Sequence, residues 1–496
     1  MTRPGYRHAR AVTADDLPDA VQAHLDDGYQ VAMVACHEDV DAFRIVYVLL
    51  RARADDRSEL VLAVPKDAPA VPSLARLDYS LGRFEREIRD LYGVRPLEHP
   101  LPRRLVRHGH WPKRYYPMLS NATPDPAFDQ DIGSFPFIEV EGDGVYEIPV
   151  GPVHAGLIEP GHFRFSVVGE TILRMKARLW FVHRGIEKLL EGTDPGTAIQ
   201  VAERISGDTA VGHSLAITMA IEEAAGIAVT DDDRATRALL LELERLHNHV
   251  ADIGALANDV GYGLMNAHAL RLREDLLRIN QATTGHRLLR GAIHIGGTQL
   301  IALPDPARLQ SIADTVAELS AITIGNATVR DRFIGTSVLP ENQARRLGVL
   351  GYVARASGID IDARRDHPFA DLGDDFRVVQ ESAGDVMSRY AVRVREVQVS
   401  TAVINHLTKR LDGRTGQAHP AAVFGPGSGL GIVEGWRGRI AHRVELDASG
   451  HLARAKIVDP SFVNWPALPV ALADTIVPDF PLTNKSFNQS YAGNDL

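Results

Sequence analysis

The sequence is nearly free of cysteine. Cys36 is the single cysteine among 496 residues, which excludes an internal disulfide and any metal site built from several thiolates. Long hydrophobic runs are missing too, because no stretch of 18 apolar residues occurs. No membrane-spanning helix is therefore expected. No apolar core follows the first ten residues, so no signal peptide is expected.

Positive charge is not in excess, and nucleotide-binding motifs are missing. The net charge of −10 argues against nucleic acid as a partner. The sequence has no P-loop and no G-x-S-x-G motif. The glycine-rich segment 425–431, GPGSGLG, does not fit G-x-G-x-x-G and precedes an expected strand, the reverse of the order in dinucleotide sites. Direct NAD binding is not predicted.

The chain is long enough for two or more domains, and its 45% hydrophobic and 24% charged residues are typical of a folded protein. The pattern predicts an α+β protein. Residues 1–115 are expected to form a small α/β domain. Residues 116–147, rich in Pro, Gly, Asp and Asn, are interpreted as a linker. Residues 148–496 are expected to form a mainly helical domain with β-structure at both ends.

Apolar periodicity places the elements more closely. Strands are predicted within 41–53 and 60–67, and the helix that follows is expected to stop at Gly93. Two strands are predicted in 162–185, joined near Gly169 and Glu170, and two more in 439–447 and 451–459, before a Pro/Asn-rich tail. The larger domain is expected to contain helices at 186–192, 195–205, 207–226, 231–258, 266–285, 304–328, 341–357 and 384–412.

One segment is locally basic. Residues 83–114 contain eight Arg and one Lys against four acidic residues. Such a run is either a solvated basic face or a docking edge for an acidic partner subunit.

Several long motifs, in order, carry a family resemblance. Residues 84–111, FEREIRDLYGVRPLEHPLPRRLVRHGHW, resemble the C-type subunit of NADH–quinone oxidoreductase (complex I). A second group of motifs resembles the D-type subunit of complex I, and more closely the large subunit of group-4 NiFe hydrogenases of the formate hydrogenlyase type. That group comprises GPVHAGLIEPGHFRFSVVGE (151–170), HRGIEK (183–188), ERISGDTAVGHSLA (203–216), RLHNHVADIGALANDVG (245–261) and DPSFVNWPAL (459–468).

The resemblance implies a subunit of a membrane-associated complex, on the cytoplasmic side of the membrane. Its implied partners are an iron–sulfur small subunit, similar to the B-type subunit of complex I, and membrane subunits of the H-like and antiporter-like types. The implied role is to couple electron transfer at the neighbouring iron–sulfur cluster to proton or ion movement. A non-catalytic scaffold and a quinone-reducing subunit are the alternatives.

In NiFe hydrogenases the metals are held by R-x-C-G-x-C and D-P-C-x-x-C motifs. The matching positions here are Ser206 and Thr209 in the first motif and Ser486 and Gln489 in the second. Hydroxyl and amide groups do not replace the soft, anionic thiolates that hold nickel and iron. We therefore expect no metal and no cofactor bound by this chain, and no hydrogen chemistry. The iron–sulfur cluster is expected in the partner, and quinone binding stays an alternative.

Five other residues match functional positions of the family. His154 matches a quinone-contacting histidine, whereas the matching tyrosine position falls on Gly207. Glu187 matches a glutamate that gates proton transfer, and the alternative is a solvated side chain.

Arg204 and His249 match positions close to the partner's terminal cluster, and Arg437 matches an arginine above the metals. As structural alternatives, Arg204 pairs with a nearby acid, His249 packs on a helix face, and Arg437 pairs with Glu434.

Ser206 is also interpreted as the cap of a helix that begins near Gly207, with Asp208 in its first turn. His213 and Glu222 are interpreted as helix-packing and capping residues.

Overall fold

A computed structural model gives the fold of residues 6–130, 135–156, 158–416 and 424–496. The N-terminal unit contains a four-stranded sheet of order β1-β4-β3-β2, in which β1 is parallel to β4 and the other pairs are antiparallel. A short parallel pair, β5-β6, lies beside it. Its elements are β1 (Tyr6–Val12), α1 (Leu17–Asp26), β2 (Tyr29–Glu38), β3 (Ala42–Arg51), β4 (Asp56–Pro65), β5 (Ala70–Pro72), α2 (Tyr79–Tyr92) and β6 (Arg95–Leu97).

Helix α2 has clear signals at both ends. The Asp78 carboxylate accepts hydrogen bonds from the backbone N–H groups of Ser80 and Leu81, which is the favoured N-cap arrangement. Gly93 follows the last turn in a left-handed conformation, with φ at 83°, as the sequence predicts. Between Leu97 and Val145 the described residues form no helix or strand.

The larger unit begins with an antiparallel sheet of order β7-β8-β9, formed by β7 (Val145–Val150), β8 (His162–Val168) and β9 (Thr171–Arg178). Helices and one short hairpin follow: α3 (Ile186–Leu190), α4 (Pro195–Ala202), α5 (Ala210–Ala225), α6 (Asp231–Asp259), α7 (Gly263–Thr284), β10 (Ile293–His294), β11 (Gly297–Thr298), α8 (Pro306–Gly325), α9 (Ala327–Phe333), α10 (Glu341–Leu347), α11 (Gly351–Ala356), α12 (Ala363–Asp366) and α13 (Val386–Leu411).

A second antiparallel sheet closes the unit, formed by β12 (Gly427–Gly435), β13 (Gly438–Leu446) and β14 (Leu452–Val458). Four short helices end the chain: α14 (Pro460–Asn464), α15 (Ala467–Ala471), α16 (Phe480–Phe487, preceded by a 3-10 turn at Val477–Asp479) and α17 (Tyr491–Asp495). The mixed α+β class with sheets at both ends of the larger unit is confirmed.

Two expectations about elements are wrong. The predicted tail is helical (α14–α17), because helices of five to eight residues are too short to show a period in the sequence. The single helix expected at 341–357 is two helices. The chain leaves helical geometry between them, and the Leu350 N–H bonds instead to Asn464 Oδ1 at 2.8 Å.

Three of the glycines in segment 425–431 have a packing role. Helix α5 lies directly on β12. A Cβ atom at Gly427, Gly429 or Gly431 would lie 2.1, 2.0 or 1.9 Å from a backbone oxygen of α5. Glycine at every second position therefore gives the strand one face without side chains, on which the helix backbone rests.

Two buried ion pairs and one half-buried pair join the two units. Lys456 on β14 contacts Glu87 on α2 at 2.8 Å, and Arg443 on β13 contacts Glu59 on β4 at 3.3 Å. Arg44 on β3 reaches Glu445 at 2.8 Å. No helix in the described ranges is long and apolar enough to cross a membrane.

Candidate functional site

The loop between α4 and α5 meets the turn between α16 and α17. Ser206 Oγ donates to Asp208 Oδ1 at 2.8 Å, and Thr209 Oγ1 donates to the same oxygen at 3.0 Å. The Ser206 hydroxyl also lies 2.9 Å from the Ser490 hydroxyl. Three hydroxyl groups and one carboxylate therefore line the place where the two segments meet.

Arg437, in the turn between β12 and β13, bridges these two segments. Its Nη1 and Nη2 atoms donate to Asp208 Oδ1 and Oδ2 at 2.8 and 2.7 Å, and its Nε donates to the carbonyl oxygen of Asn488 at 2.5 Å. The guanidinium stacks on Trp436, 3.9 Å from the ring centre. A Cβ at Gly351 would lie 1.9 Å from the Arg437 carbonyl oxygen, so only glycine allows the turn to sit this close.

The charge state of Asp208 follows from this contact. Burial raises the pKa of the Asp208 carboxyl, but the Arg437 charge and the hydrogen bonds from Arg437, Ser206 and Thr209 outweigh it and hold that pKa well below its usual range. The result is a bidentate ion pair in which the Arg437 side chain is 4% exposed and the Asp208 side chain 37%.

Two sequence interpretations are wrong here. Ser206 is not a helix cap, because its hydroxyl is engaged by Asp208 and Ser490. Helix α5 begins at Ala210 after Thr209, and Thr209 makes no side-chain cap bond. Nor does Arg437 pair with Glu434. Glu434 belongs to the β12 strand and contacts Arg355 at 2.8 Å.

The other two positions matched to cysteines are engaged elsewhere. Ser486 Oγ donates to the Thr483 carbonyl at 2.7 Å and accepts from Arg389 Nε at 2.9 Å. The Gln489 side-chain amide donates to the carbonyl of Phe487. In the described ranges no group of three His, Cys, Asp or Glu side chains is placed to hold a metal ion. Hydroxyl groups and an amide at the four ligand positions do not fit a NiFe centre.

Glu187 lies at the contact between the two units and is 5% exposed. Its carboxylate accepts from Arg454 Nη2 at 2.7 Å, from Lys456 Nζ at 3.0 Å and from the Ile457 N–H at 3.0 Å. Burial raises its pKa, but the Lys456 and Arg454 charges outweigh burial and lower it. The solvated alternative is therefore wrong, and the proton-gating role stays a prediction.

Arg204 and His249 occupy different environments. Arg204 has a 57% exposed side chain and lies 3.7 Å from Glu203, which matches the alternative that pairs it with an acid. His249 is fully buried, and its Nε2 lies 2.7 Å from Glu396 Oε2. Burial lowers the pKa of His249, while Glu396 opposes the shift. The structure shows no contact between Arg204 and His249, so their place beside a partner's cluster stays a prediction.

His249 joins a buried ionic cluster that the sequence does not reveal. Arg355 contacts Glu396 at 2.7 Å and Glu434 at 2.8 Å, and Arg364 contacts Glu242 at 3.1 Å. The cluster holds three guanidinium groups against four carboxylates: Arg245, Arg355 and Arg364 against Glu242, Asp362, Glu396 and Glu434. Burial and the nearby Asp362 charge raise the pKa of Glu434. Glu434, which also lies near the buried Arg439, is thus the carboxylate of this cluster whose proton affinity is raised.

His154 has a buried Nε2 with no hydrogen-bond partner among the described residues. Burial lowers its pKa, and its ring packs edge-on against Phe163 at 5.7 Å. Tyr491 packs on the same phenylalanine at 6.5 Å, and its buried hydroxyl lies beside the Asn484 side chain. Sequence reasoning missed Tyr491 because it falls in the supposed tail.

His213 does more than pack. Its Nε2 lies 3.0 Å from Asp459 Oδ2, and its Nδ1 lies 3.0 Å from His442 Nε2. All three side chains are buried. Glu222 forms a buried ion pair with Arg237 at 2.6 Å instead of capping a helix. The motif DPSFVN, which begins at Asp459, is the signal in the sequence that could have revealed the contacts among Asp459, His213 and His442.

Models of three protein families match successive parts of the chain. "Respiratory-chain NADH dehydrogenase, 30 Kd subunit" matches residues 11–125, "Nickel-dependent hydrogenase" matches 184–257, and "Respiratory-chain NADH dehydrogenase, 49 Kd subunit" matches 259–428. These matches define a fused subunit that joins 30 Kd-type and 49 Kd-type modules. The chain belongs to the family of formate hydrogenlyase subunit 5, which confirms the resemblance found in the sequence.

Individual relatives agree with this placement. Formate hydrogenlyase subunit 5 of Escherichia coli (strain K12) is 32% identical over 91% of this chain and 81% of its own length. Hydrogenase-4 component G of the same organism is 31% identical over 97% and 86%. The C/D subunit of the NADH-quinone oxidoreductase of Phocaeicola vulgatus is 29% identical over 78% of each chain.

A solved structure shares the fold. A chain of the membrane-bound sulfane sulfur reductase, an archaeal respiratory membrane complex, superposes with a TM-score of 0.61 at 21% identity. The match covers 71% of this chain and 99% of that one.

Proposed function

We propose that this chain is a peripheral subunit of a membrane-associated, complex I-like oxidoreductase and has no metal centre of its own. It docks on an iron–sulfur small subunit of the complex I B-type and lies above H-like and antiporter-like membrane subunits, on the cytoplasmic side. Relatives named as subunits of a formate hydrogenlyase, a hydrogenase and an NADH-quinone oxidoreductase support this assignment.

The observation that carries the proposal is the set of side chains at the four positions matched to metal-binding cysteines. Ser206 and Thr209 donate to Asp208, and Ser486 accepts from Arg389. These hydroxyl groups, and the amide of Gln489 that donates to the Phe487 carbonyl, are not the anionic sulfur ligands that nickel and iron require. Cys36, the one cysteine, is buried in β2 of the other unit.

The ionic cluster around His249 supports a role in proton coupling. An electron that arrives on a neighbouring cluster makes the local potential more negative, which raises the proton affinity of nearby groups. His249 and Glu434 are the candidates, since His249 has a buried Nδ1 without a partner in the described ranges and Glu434 has a raised pKa. His249 lies 6.1 Å, ring to ring, from Trp436, on which Arg437 stacks.

The test is the pH dependence of the partner cluster's midpoint potential in the purified complex. Coupling of one proton to one electron gives a slope of about −59 mV per pH unit, and His249→Gln and Glu434→Gln are expected to flatten it. His247→Gln is the matched control: it is a buried histidine on the same helix, outside the ionic cluster. An unchanged slope in both test variants, with full activity, would favour the scaffold alternative.

One observation favours a second candidate, reduction of a quinone or similar acceptor. The His154 Nε2 is a buried polar atom without a partner in the described part of the chain, the buried Tyr491 hydroxyl lies beside Asn484, and both side chains pack on Phe163. A hydroxyl donor and an imidazole are the groups that bind and protonate two carbonyl oxygens. Tyr491→Phe is expected to lower acceptor reduction by the complex while electron entry into the iron–sulfur partner stays intact.

A further inference from the structure

A cavity of about 960 Å³ opens where the N-terminal unit meets the first sheet of the larger unit. One wall is the loop 103–113, the second is the segment 135–137, and the third is formed by the end of β9 and the residues up to His183. Its volume lies at the upper end of the range for binding pockets, and it occupies a boundary between units, where such pockets are common.

The charge in this cavity is one-sided. Among the described residues, five cationic side chains line it together with one carboxylate, that of Asp129; the cations are Arg103, Arg104, Arg107, Lys113 and Arg178. None of the five forms an ion pair with another described residue. The arginines donate to backbone carbonyls instead: Arg103 to Pro136 at 2.7 Å, and Arg178 to the Arg107 carbonyl at 3.0 Å.

The surroundings compensate only part of this positive charge: the Asp90 carboxylate acts on Arg107 and Arg178 and that of Asp495 on Arg178, but neither carboxylate lines the cavity. Burial and the neighbouring Arg178 charge lower the pKa of His108 to about 4, so this lining histidine is neutral near pH 7. The whole chain carries a net charge of −10, so the cavity contrasts with the rest of the protein. A cleft lined by one sign of charge concentrates the field and attracts the opposite sign.

Aromatic rings supply the apolar part of the lining. The Arg178 guanidinium lies 4.8 Å from the ring centre of Phe135 and 5.8 Å from that of Trp180. Phe181 also lines the cavity and is 37% exposed. Cations lie at different depths, with Lys113 exposed at the edge and Arg178 buried at 5% exposure.

We infer that this cavity receives an acidic segment of a partner subunit, with at least two carboxylates and one aromatic or aliphatic side chain. The inference rests on the proposed function, because it needs a complex in which such a partner exists. The cations lie at several depths, from the edge of the cavity to its floor. A peptide segment that enters the cavity with several carboxylates along it could pair with cations at each depth, whereas a single small anion would contact one or two of the cations. Guanidinium groups pair well with carboxylates in bidentate geometry.

The test uses zero-length cross-linking in the purified complex. A carbodiimide joins a lysine amine to a carboxylate in direct contact, and Lys113 is the only lysine among the described residues that line the cavity. We expect an amide bond between Lys113 and an Asp or Glu of a partner subunit, located by peptide mass spectrometry. Lys113→Arg is the matched control, because it keeps the charge and removes the amine, and it should abolish the cross-link without loss of assembly.

Two further measurements complete the test. In the complex, the docked segment should shield the Lys113 amine from an acetylating reagent. We expect Lys113 to react at least about tenfold more slowly than the exposed Lys409. Arg103→Glu combined with Lys113→Glu should weaken partner docking by about tenfold or more. Arg346→Glu, an exposed charge reversal on α10, should not weaken it.

The outcomes separate the two claims. If no partner subunit purifies with the chain, the proposed function fails. If the complex assembles but Lys113 reacts as freely as Lys409 and gives no cross-link, only the docking inference is overturned. Protection of Lys113 by pyrophosphate in the isolated chain, without a cross-link in the complex, would also overturn it and assign the cavity to a small anion.

Discussion

The bridge between Arg437 and Asp208 predicts an asymmetric loss of stability. Asp208→Ala leaves the guanidinium, 4% exposed, without its carboxylate. Removing one partner of a buried pair costs about 3–5 kcal/mol, and the bond to the Asn488 carbonyl and the stacking on Trp436 keep the loss near the lower end. Arg437→Met leaves a carboxylate that is 37% exposed and reaches water, so its cost is about 1.5–3 kcal/mol, that of charge-assisted hydrogen bonds.

The assay is urea unfolding at pH 7, followed by tryptophan fluorescence because Trp436 lies under the guanidinium. A double-mutant cycle with both substitutions should give a coupling energy of about 1–3 kcal/mol. Glu341→Ala, which breaks an exposed pair with Arg345, is the control and should cost less than about 1 kcal/mol.

The pH dependence has a definite sign. The lowered pKa of Asp208 means that its contribution is present above the ordinary value of 3.8 and is lost as the pH falls through the lower folded value. The difference between the wild type and Asp208→Ala should therefore be constant from about pH 5 to 8. A coupling energy below about 0.5 kcal/mol, or a difference that disappears within that range, would refute the reasoning.

Three other predictions follow from buried groups. Glu187→Gln should lower the free energy of unfolding by about 3–5 kcal/mol, whereas Glu191→Gln, whose carboxylate is 25% exposed, should cost less than about 1 kcal/mol; equal losses would contradict the buried bridge. Burial raises the pKa of Glu244 from 4.5 to about 8, so the contribution of its protonated form is present below pH 4.5 and is lost as the pH rises through 8. An infrared carboxyl band at pH 6 that disappears in Glu244→Gln checks this, and an ionised band at that pH would oppose it. Gly431→Ala places a Cβ 1.9 Å from a backbone oxygen of α5 and should cost about 1–3 kcal/mol in urea unfolding, while Gly425→Ala has open space around it and should be neutral.

Regular elements of the fold were predictable because their patterns are local. Alternation placed β8 and β9 on either side of Gly169, and apolar periodicity placed α6 and α13 almost at their observed bounds. The short C-terminal helices were not predictable in this way, since their stability comes from burial of Phe462, Trp465 and Phe487 and not from a repeating pattern.

Only part of the candidate site was predictable. Ser206 and Thr209 share one motif, so their closeness follows from the sequence. The partner of Asp208 lies 229 positions away at Arg437, and no local pattern connects them. The GPGSGLG segment was recognised as unsuited to nucleotides, but its actual role requires the position of α5.

Buried ionic residues are the hardest class to interpret from a sequence. Glu187 and Glu434 look like surface residues in isolation, because carboxylates are mostly exposed. Their burial depends on arginines and lysines supplied by distant elements, such as Arg454 for Glu187 and Arg355 for Glu434. The raised pKa of Glu434 depends on its burial and on the nearby Asp362 charge, and no local pattern in the sequence predicts either.

The absence of a nickel–iron centre follows from three hydroxyl groups and one amide at the four thiolate positions, Ser206, Thr209, Ser486 and Gln489. Elemental analysis of the purified complex, from cells grown with nickel in the medium, is the decisive measurement. We expect nickel far below one atom per chain, and the same low value in Arg437→Met. One nickel per chain, located between residues 206–209 and 486–489, would refute this conclusion.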